Sequence, residues 1–293
     1  MAEVTQYQDH YYVPHPSHWP ITGSIGLGCI MVGFANLLHG HLLGHYLFFF
    51  GALCIIYTMF GWFRDVIHES HQSFYNKQVD RSFRWGMAWF IFSEVMFFAA
   101  FFGALFYARH LAVPWLAGEG DKGVSHILWP NFKAVWPLLN NPDPKAFSGP
   151  KEAMDAWGIP ALNTLILLSS GVTVTIAHWA LIKNMRTKLI IGLFLTIGLG
   201  LTFLGFQAYE YWLAYDHYEL TLGSGIYGTT FFMLTGFHGA HVTIGSIMLI
   251  VILIRCIKGH FNREHHFGFE AVAWYWHFVD VVWLFLFVFV YWL

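Results

Sequence analysis

The 293-residue chain is 57% hydrophobic and 20% aromatic, and only 11% of its residues are charged. Because an average soluble domain has about 25% charged residues, this composition predicts a protein whose solvent is lipid. Fifteen Lys and Arg residues against 17 Asp and Glu residues give a formal net charge of −2, which excludes the basic surface that nucleic-acid binding requires.

Two membrane helices are predicted at the beginning of the chain. About 20 apolar residues of helix cross a bilayer core of about 30 Å, so long stretches without Asp, Glu, Lys or Arg mark the spans. The stretch from His10 to Phe63 contains none of these residues and is long enough for two helices, at 19–38 and 44–66. The polar turn at 39–41 separates them, which predicts a tight hairpin and a first domain at 1–72.

Five further spans follow, and they form the second predicted domain, at 73–293. The third lies between Arg84 and Arg109, and the others are predicted at 156–182, 188–210, 220–254 and 268–293. The one long connection, 114–155, is rich in Pro, Gly, Asn and charged residues, which indicates surface irregularity with one short helix. The fold class is therefore an all-α integral membrane protein with seven transmembrane helices.

The basic residues indicate how the chain is oriented. Loops on the side of the N-terminus hold ten Lys and Arg residues beside the spans, whereas the other side holds five, all in or next to the long connection. Because basic residues concentrate on the cytoplasmic side, the N-terminus is predicted in the cytoplasm or matrix and Leu293 on the outside.

Eighteen histidines raise the question of a haem or copper site. Most of them lie in loops or at span ends, and only four lie within spans: His178, His238, His241 and His277. One reading is a metal site, which requires several ligands to converge. The other is hydrogen bonding between helices, which removes polar groups from lipid. We predict the second for these histidines and for Glu270 and Asp280, and no metal site.

Glu94 is predicted to lie near the middle of the bilayer, ten residues or about 15 Å beyond Arg84. A carboxylate there costs several kcal/mol unless it is neutral, paired or hydrated. Glu94 is therefore either a functional acid or a structural acid that is hydrogen-bonded within the bundle, and the sequence leaves both open.

Charged residues also collect at the cytoplasmic ends of two helices. The second helix ends with Arg64, Asp65, His68 and Glu69. The sixth helix, predicted at 220–254, ends with Arg255 and Lys258. Basic groups at such helix ends suit lipid phosphates, but for any one of these residues ordinary positive-inside anchoring is the better explanation.

Seven motifs cover nearly the whole chain. They are PSHWPITG (16–23), WFRDVIHES (62–70), SEVMFFAAFF (93–102), LNTLILLSSGVTVTIAHW (162–179), FQAYEY (206–211), GIYGTTFFMLTGFHGAHVTIGS (225–246) and HHFGFEAVAWYWHFVDVVWLFLF (265–287). Together they resemble the cytochrome c oxidase subunit III family. The resemblance implies a subunit that binds no haem or copper and is attached to subunit I, the haem-copper catalytic subunit, and to subunit II, in an oxidase that reduces O₂ to water and pumps protons.

The resemblance also implies that the first two helices splay from the other five and form a V-shaped cleft that holds structural phospholipid. Lipid contacts then fall on Phe63, His68, Glu69, Arg255 and Phe267, and the membrane-embedded acid of the family falls on Glu94. Family members commonly have W-W-R-D-V-I-R-E-S, whereas Phe63 and His68 stand here, so pairing between residue 68 and phosphate is weaker and depends on pH.

The long connection resembles that of bacterial members and predicts a bacterial inner (plasma) membrane protein with a periplasmic C-terminus.

Two other functions compete with that of a cytochrome c oxidase subunit. Subunit III of a quinol oxidase typically lacks the first two helices. A proton-coupled transporter would use Glu94, Glu210, Glu270, Asp280 and the helical histidines, but spans 1–3 and 5–7 show no repeat.

Overall fold

The computed structural model describes residues 11–120 and 123–293, so the start of the N-terminal tail (1–10) and residues 121–122 of the long connection lie outside the described residues. In chain order the helices are α1 (Trp19–Leu38), α2 (Leu42–His71), α3 (Lys77–Tyr107), α4 (Val113–Leu116), α5 (Ser125–Leu128), α6 (Ile159–Ile182), α7 (Arg186–Asp216), α8 (Ile226–Ile257) and α9 (Phe267–Leu286). The described ranges contain no β-strand. Seven helices are long and apolar enough to cross a membrane, which confirms the predicted all-α membrane fold.

Two π-helical segments lengthen the third and seventh spans. Ala108–Ala112 joins α3 to α4, so this helical segment runs from Lys77 to Leu116, and Phe287–Trp292 extends α9 almost to the end of the chain. The single short helix predicted within the long connection is α5.

Several helices extend beyond the spans predicted from charge-free stretches. α3 begins seven residues before Arg84, because the Asn76 side chain accepts hydrogen bonds from the backbone N–H groups of Gln78 (3.1 Å) and Val79 (2.9 Å) and caps the helix. The extra turns contain charged side chains that pair with each other, since Arg84 Nε lies 2.8 Å from Asp80 Oδ2. In α3, charged side chains therefore mark where the apolar stretch begins, whereas the Asn76 cap marks where the helix begins.

The chain divides into two compact units, and the first ends at Trp85. In its described part, α1 and α2 pack through the buried glycines Gly26, Gly33, Gly44 and Gly51. A Cβ atom on Gly33 would lie 2.5 Å from the backbone nitrogen of Phe48, and one on Gly44 would lie 2.5 Å from that of Leu37. Without side chains at these positions the two backbones come into direct contact, which is how helices commonly associate in lipid.

The second unit, Gly86–Leu293, has its core among α6, α7, α8 and α9. Two fully buried tryptophans of α9 anchor it: Trp276 Nε1 donates a hydrogen bond to Ser170 Oγ (2.9 Å), and Trp283 Nε1 donates one to Thr164 Oγ1 (2.9 Å). The Trp276 ring needs a glycine beside it, because a Cβ atom on Gly200 would lie 2.7 Å from the ring. Large rings and glycines thus pack these four helices closely.

The long connection is attached to the loop between α7 and α8. Asn141 Nδ2 donates to the Ser224 carbonyl (3.2 Å), the Lys151 N–H to the Tyr218 carbonyl (2.8 Å), and the Met154 N–H to the Tyr227 hydroxyl (3.3 Å). These three hydrogen bonds therefore hold the later part of the connection against the second unit.

The glycine contacts generate a test of the hairpin. We expect Gly33→Ala to destabilise the protein by about 1–3 kcal/mol, as overpacking usually does, because the added methyl group meets backbone atoms that cannot move aside. Gly28→Ala on the same helix is the matched control, since a Cβ atom there has nothing within 4 Å. Thermal unfolding of the purified detergent-solubilised protein measures both, and equal effects of the two variants would contradict the packing.

Candidate functional site: the polar groups within the membrane helices

The structure brings Glu94 of α3 against His241 of α8. The imidazole Nε2 lies 2.9 Å from the carboxyl Oε2, and both side chains are largely buried, with 22% of Glu94 and 14% of His241 exposed. The rings of Phe97, Phe98 and Tyr275 lie 5.9, 5.1 and 6.3 Å from the imidazole. The predicted membrane-embedded acid thus has a partner 147 residues away in the chain, within an aromatic shell.

The hydrogen bonds of His241 indicate two forms of this pair that share one proton. Its Nδ1 lies 2.7 Å from the Phe237 carbonyl oxygen, which can only accept, so Nδ1 must carry a proton. In a neutral imidazole Nε2 is then an acceptor, and its contact with Glu94 requires the carboxyl group to be protonated. If the proton moves to Nε2 instead, the pair becomes a carboxylate beside an imidazolium. In both forms one proton lies between the two residues and their summed charge is zero.

His238, one helical turn before His241, has a different environment. It is fully buried, and its Nε2 donates to the Val279 carbonyl on α9 (3.2 Å). The rings of Phe203 and Trp283 lie 5.7 and 5.1 Å away. His238 and His241 therefore do not converge on one point: one contacts the backbone of α9 and the other contacts α3.

His277 and Asp280 lie on α9 at the edge of a groove that separates α9 from α6. His277 Nε2 is 3.1 Å from Thr175 Oγ1 on α6, and its Nδ1 is 3.5 Å from Asp280 Oδ2. The Asp280 side chain is 8% exposed, whereas His277 remains 45% exposed. The groove has a volume of about 380 Å³, and Val281, Leu284 and Trp179 also line it. A polar group thus faces outward from the middle of a membrane helix.

The sequence assigned Glu210 only to the transporter alternative, yet this residue is 1% exposed in α7. Its carboxyl group lies beside the Tyr291 hydroxyl of the C-terminal π-helical turn. Next to it, Gln207 Nε2 donates to the Thr235 carbonyl (2.8 Å), and the Tyr211 hydroxyl lies 2.7 Å from Thr235 Oγ1. The sequence signal for this polar group is the i, i+4 spacing of Gln207 and Tyr211, which places both side chains on one helix face.

The residues assigned to lipid lie on both units. In the first unit, Phe63 and His68 are exposed on α2, and Glu69 Oε2 accepts a hydrogen bond of 2.7 Å from the Tyr75 hydroxyl. Burial and this bond raise the pKa of Tyr75, so it remains a donor at physiological pH. Tyr75 lies in the turn between α2 and α3 and orients the Glu69 carboxylate.

In the second unit, the Arg255 guanidinium lies over the Phe261 ring, 4.3 Å from its centroid. A Cβ atom on Gly268 would lie 3.1 Å from an Arg255 terminal nitrogen, so the cation lies beside the first turn of α9, where Phe267 begins the helix. Arg255 therefore lies beside Gly268, the residue that follows Phe267 in the sequence.

The remaining two predicted polar residues, His178 of α6 and Glu270 of α9, lie together with His266, which directly precedes α9. Sequence reasoning treated His266 as a loop residue and missed its place in this group. Only the HHFGFE spacing of His266 and Glu270, four residues apart, could have indicated that they share one face.

The chain is similar to known proteins over most of its length. A family model described as "Cytochrome c oxidase subunit III" matches residues 9–120 and 144–293, and the unmatched segment lies within the long connection. Proteins named "Cytochrome c oxidase subunit 3" are 46% identical in Marchantia polymorpha, 44% in Arabidopsis thaliana and 42% in Squalus acanthias. Each alignment spans 283 residues and covers 96% of both chains.

Proposed function

The chain belongs to the cytochrome c oxidase subunit III family, and from this premise we propose that it is an accessory subunit of a cytochrome c oxidase. It contributes no redox metal: haem and copper belong to its partners, subunit I above all, together with subunit II. The presence of α1 and α2 favours this assignment over subunit III of a quinol oxidase. Its role is to stabilise the catalytic subunit, bind structural phospholipid and support proton uptake.

The observation that carries the accessory role is the outward-facing imidazole of His277, which lies beside the buried Asp280. An ionisable group in the middle of a membrane helix normally faces a bundle interior, because exposure to hydrocarbon costs several kcal/mol. His277 is 45% exposed at the edge of the groove between α6 and α9. We propose that a helix of a partner subunit covers this face in the complex.

A pull-down in mild detergent tests the assignment. Tagged chain should copurify with haem absorbance and with electron transfer from cytochrome c to O₂, and the tryptophan variant Val281→Trp, which fills the groove, should lose most of that haem. Val251→Trp on an exposed position of α8 is the matched control and should retain it. No copurifying haem would overturn the proposal, oxidation of quinol rather than cytochrome c would favour the alternative, and equal behaviour of both variants would exclude the groove.

The complex is proposed to lie in a bacterial inner membrane, with the N-terminus cytoplasmic and the C-terminus periplasmic. The excess of basic residues beside the N-terminal side, ten against five, supports the orientation. The long connection supports a bacterial source. The relatives named above come from eukaryotes, which supports a mitochondrial inner membrane as the alternative. The orientation would be the same, with the matrix in place of the cytoplasm.

Lipid binding is proposed from the family and from the position of Arg255. An Arg fork matches the oxygens of a phosphate group, and Phe261 holds one face of the guanidinium. Phe63, His68, Glu69 and Phe267 are the further proposed contacts.

We expect Arg255→Ala to lower the phospholipid that remains in the purified complex, and Arg255→Lys to restore it in part, because Lys keeps the charge but loses the bidentate fork. Lys258→Ala, at an exposed position one turn away, is the control for general loss of positive charge. Phospholipid per haem measures the effect. Unchanged lipid in Arg255→Ala, or equal loss in Lys258→Ala, would contradict the site.

Glu94 is proposed to support proton uptake by the neighbouring subunit, because the pair with His241 holds a proton without net charge. In Glu94→Gln the amide N–H can still donate to His241 Nε2, so assembly should be normal, but the exchangeable acid is lost. We expect unchanged visible spectra and initial rates, followed by faster inactivation during sustained turnover.

Oxygen consumption over many turnovers measures this effect, and Glu119→Gln at an exposed loop position is the matched control. A Glu94→Gln complex as durable as the parent would show that the acid is purely structural.

A further inference from the structure

Three side chains that can bind metal meet where α6 ends and α9 begins. His178 lies one turn before the end of α6, His266 directly precedes α9, and Glu270 lies in the first turn of α9. One possible ligand atom from each residue lies within 4.8 Å of those of the other two. The His178 and His266 rings are 5.6 Å apart between centroids. The group lies wholly within the second unit and is distinct from the Glu94 and His277 pairs.

The ligand set points to one class of ion. Two imidazoles and one carboxylate are a common zinc set, whereas Mg²⁺ and Ca²⁺ prefer oxygen ligands alone. With metal–ligand bonds of about 2.1 Å, tetrahedral ligand atoms lie about 3.4 Å apart, so separations of up to 4.8 Å would have to close by about 1.4 Å at most.

The surroundings favour a ligand at this position. All three side chains are partly buried. His266 Nδ1 is excluded from solvent and has no hydrogen-bond partner in the described residues, an arrangement that normally costs free energy. The neighbouring Phe269 ring, 5.4 Å from the His178 ring and 1% exposed, closes the inner side. A metal bound by His266 would remove that cost.

We propose that His178, His266 and Glu270 form a binding site for a divalent zinc-type cation. Three protein ligands leave a fourth position for water. The ion would connect the end of α6 to the beginning of α9, helices that pack through Trp276 and Ser170 in the bundle core. This site is independent of the redox metals of the partner subunits, and it departs from the sequence analysis, which predicted no metal site for this chain.

The test is zinc binding by the intact complex after chelator treatment and dialysis. Zn²⁺ alone is the probe, and bound zinc per haem is measured by elemental analysis across a titration. The parent should bind one more equivalent than His266→Ala, because losing even an outer-shell partner weakens metal binding by about 10–100-fold and losing a ligand should weaken it by more. His265→Ala, the adjacent exposed histidine, is the matched control and should keep that equivalent.

A second measurement uses the parent complex, so its main result does not depend on whether a variant assembles. X-ray absorption at the zinc edge of the parent complex should include a site with two nitrogen ligands and one carboxylate oxygen, and Glu270→Gln should change that shell while visible haem absorbance stays constant. Equal zinc stoichiometry in the parent and His266→Ala, or the absence of such a ligand shell in the parent, would overturn the site.

Discussion

A polar side chain within a membrane helix must find its partner inside the protein, because lipid offers none, and the partners that lie on other helices hold the second unit together. The indole groups of Trp276 and Trp283 bond to hydroxyls of α6 and position α9 against it. The same requirement selects hydrogen-bonding partners for the histidines of α8: His238 contacts a carbonyl of α9, and His241 contacts the acid of α3. Polar contacts therefore specify the helix arrangement within an otherwise apolar bundle.

The number and approximate place of the helices could be predicted because charge-free length is a local property of the sequence. Helix ends were predicted less well, since Asn76 starts α3 by capping and Arg84 lies inside the helix with Asp80 as its partner. The depth of Glu94, counted from the sequence, stays a prediction. Its partner could not be predicted, because the face that His241 presents to α3 depends on packing between segments 147 residues apart.

The metal-binding group shows the same limit. His178 and His266 were assigned to different environments, a span and a loop, because sequence position defines a residue's depth but not its neighbours. Glu270 and His266 share a helix face, which is a weak local signal on its own. The third ligand comes from α6, and only the packed structure brings it near.

The Glu94 and His241 pair connects this packing to function. An isolated carboxylate at this depth is costly, and a fixed cation would hold it permanently ionised. A neutral His241 avoids both the isolated carboxylate and the fixed cation. Its acceptor nitrogen Nε2 holds the Glu94 acid in place and leaves a proton that can shift between Oε2 and Nε2. In the proposed role, this pair would hold a mobile proton within the membrane without net charge.

Infrared spectroscopy of the complex, with ¹³C-labelled glutamate to identify the carboxyl bands and ¹⁵N-labelled histidine to identify the ring modes, tests this central claim most directly. At neutral pH we expect one proton in the pair, seen as a protonated carboxyl band that disappears in Glu94→Gln or as imidazolium modes that disappear when His241 is replaced. A Glu94 carboxylate beside a neutral His241 would contradict the account.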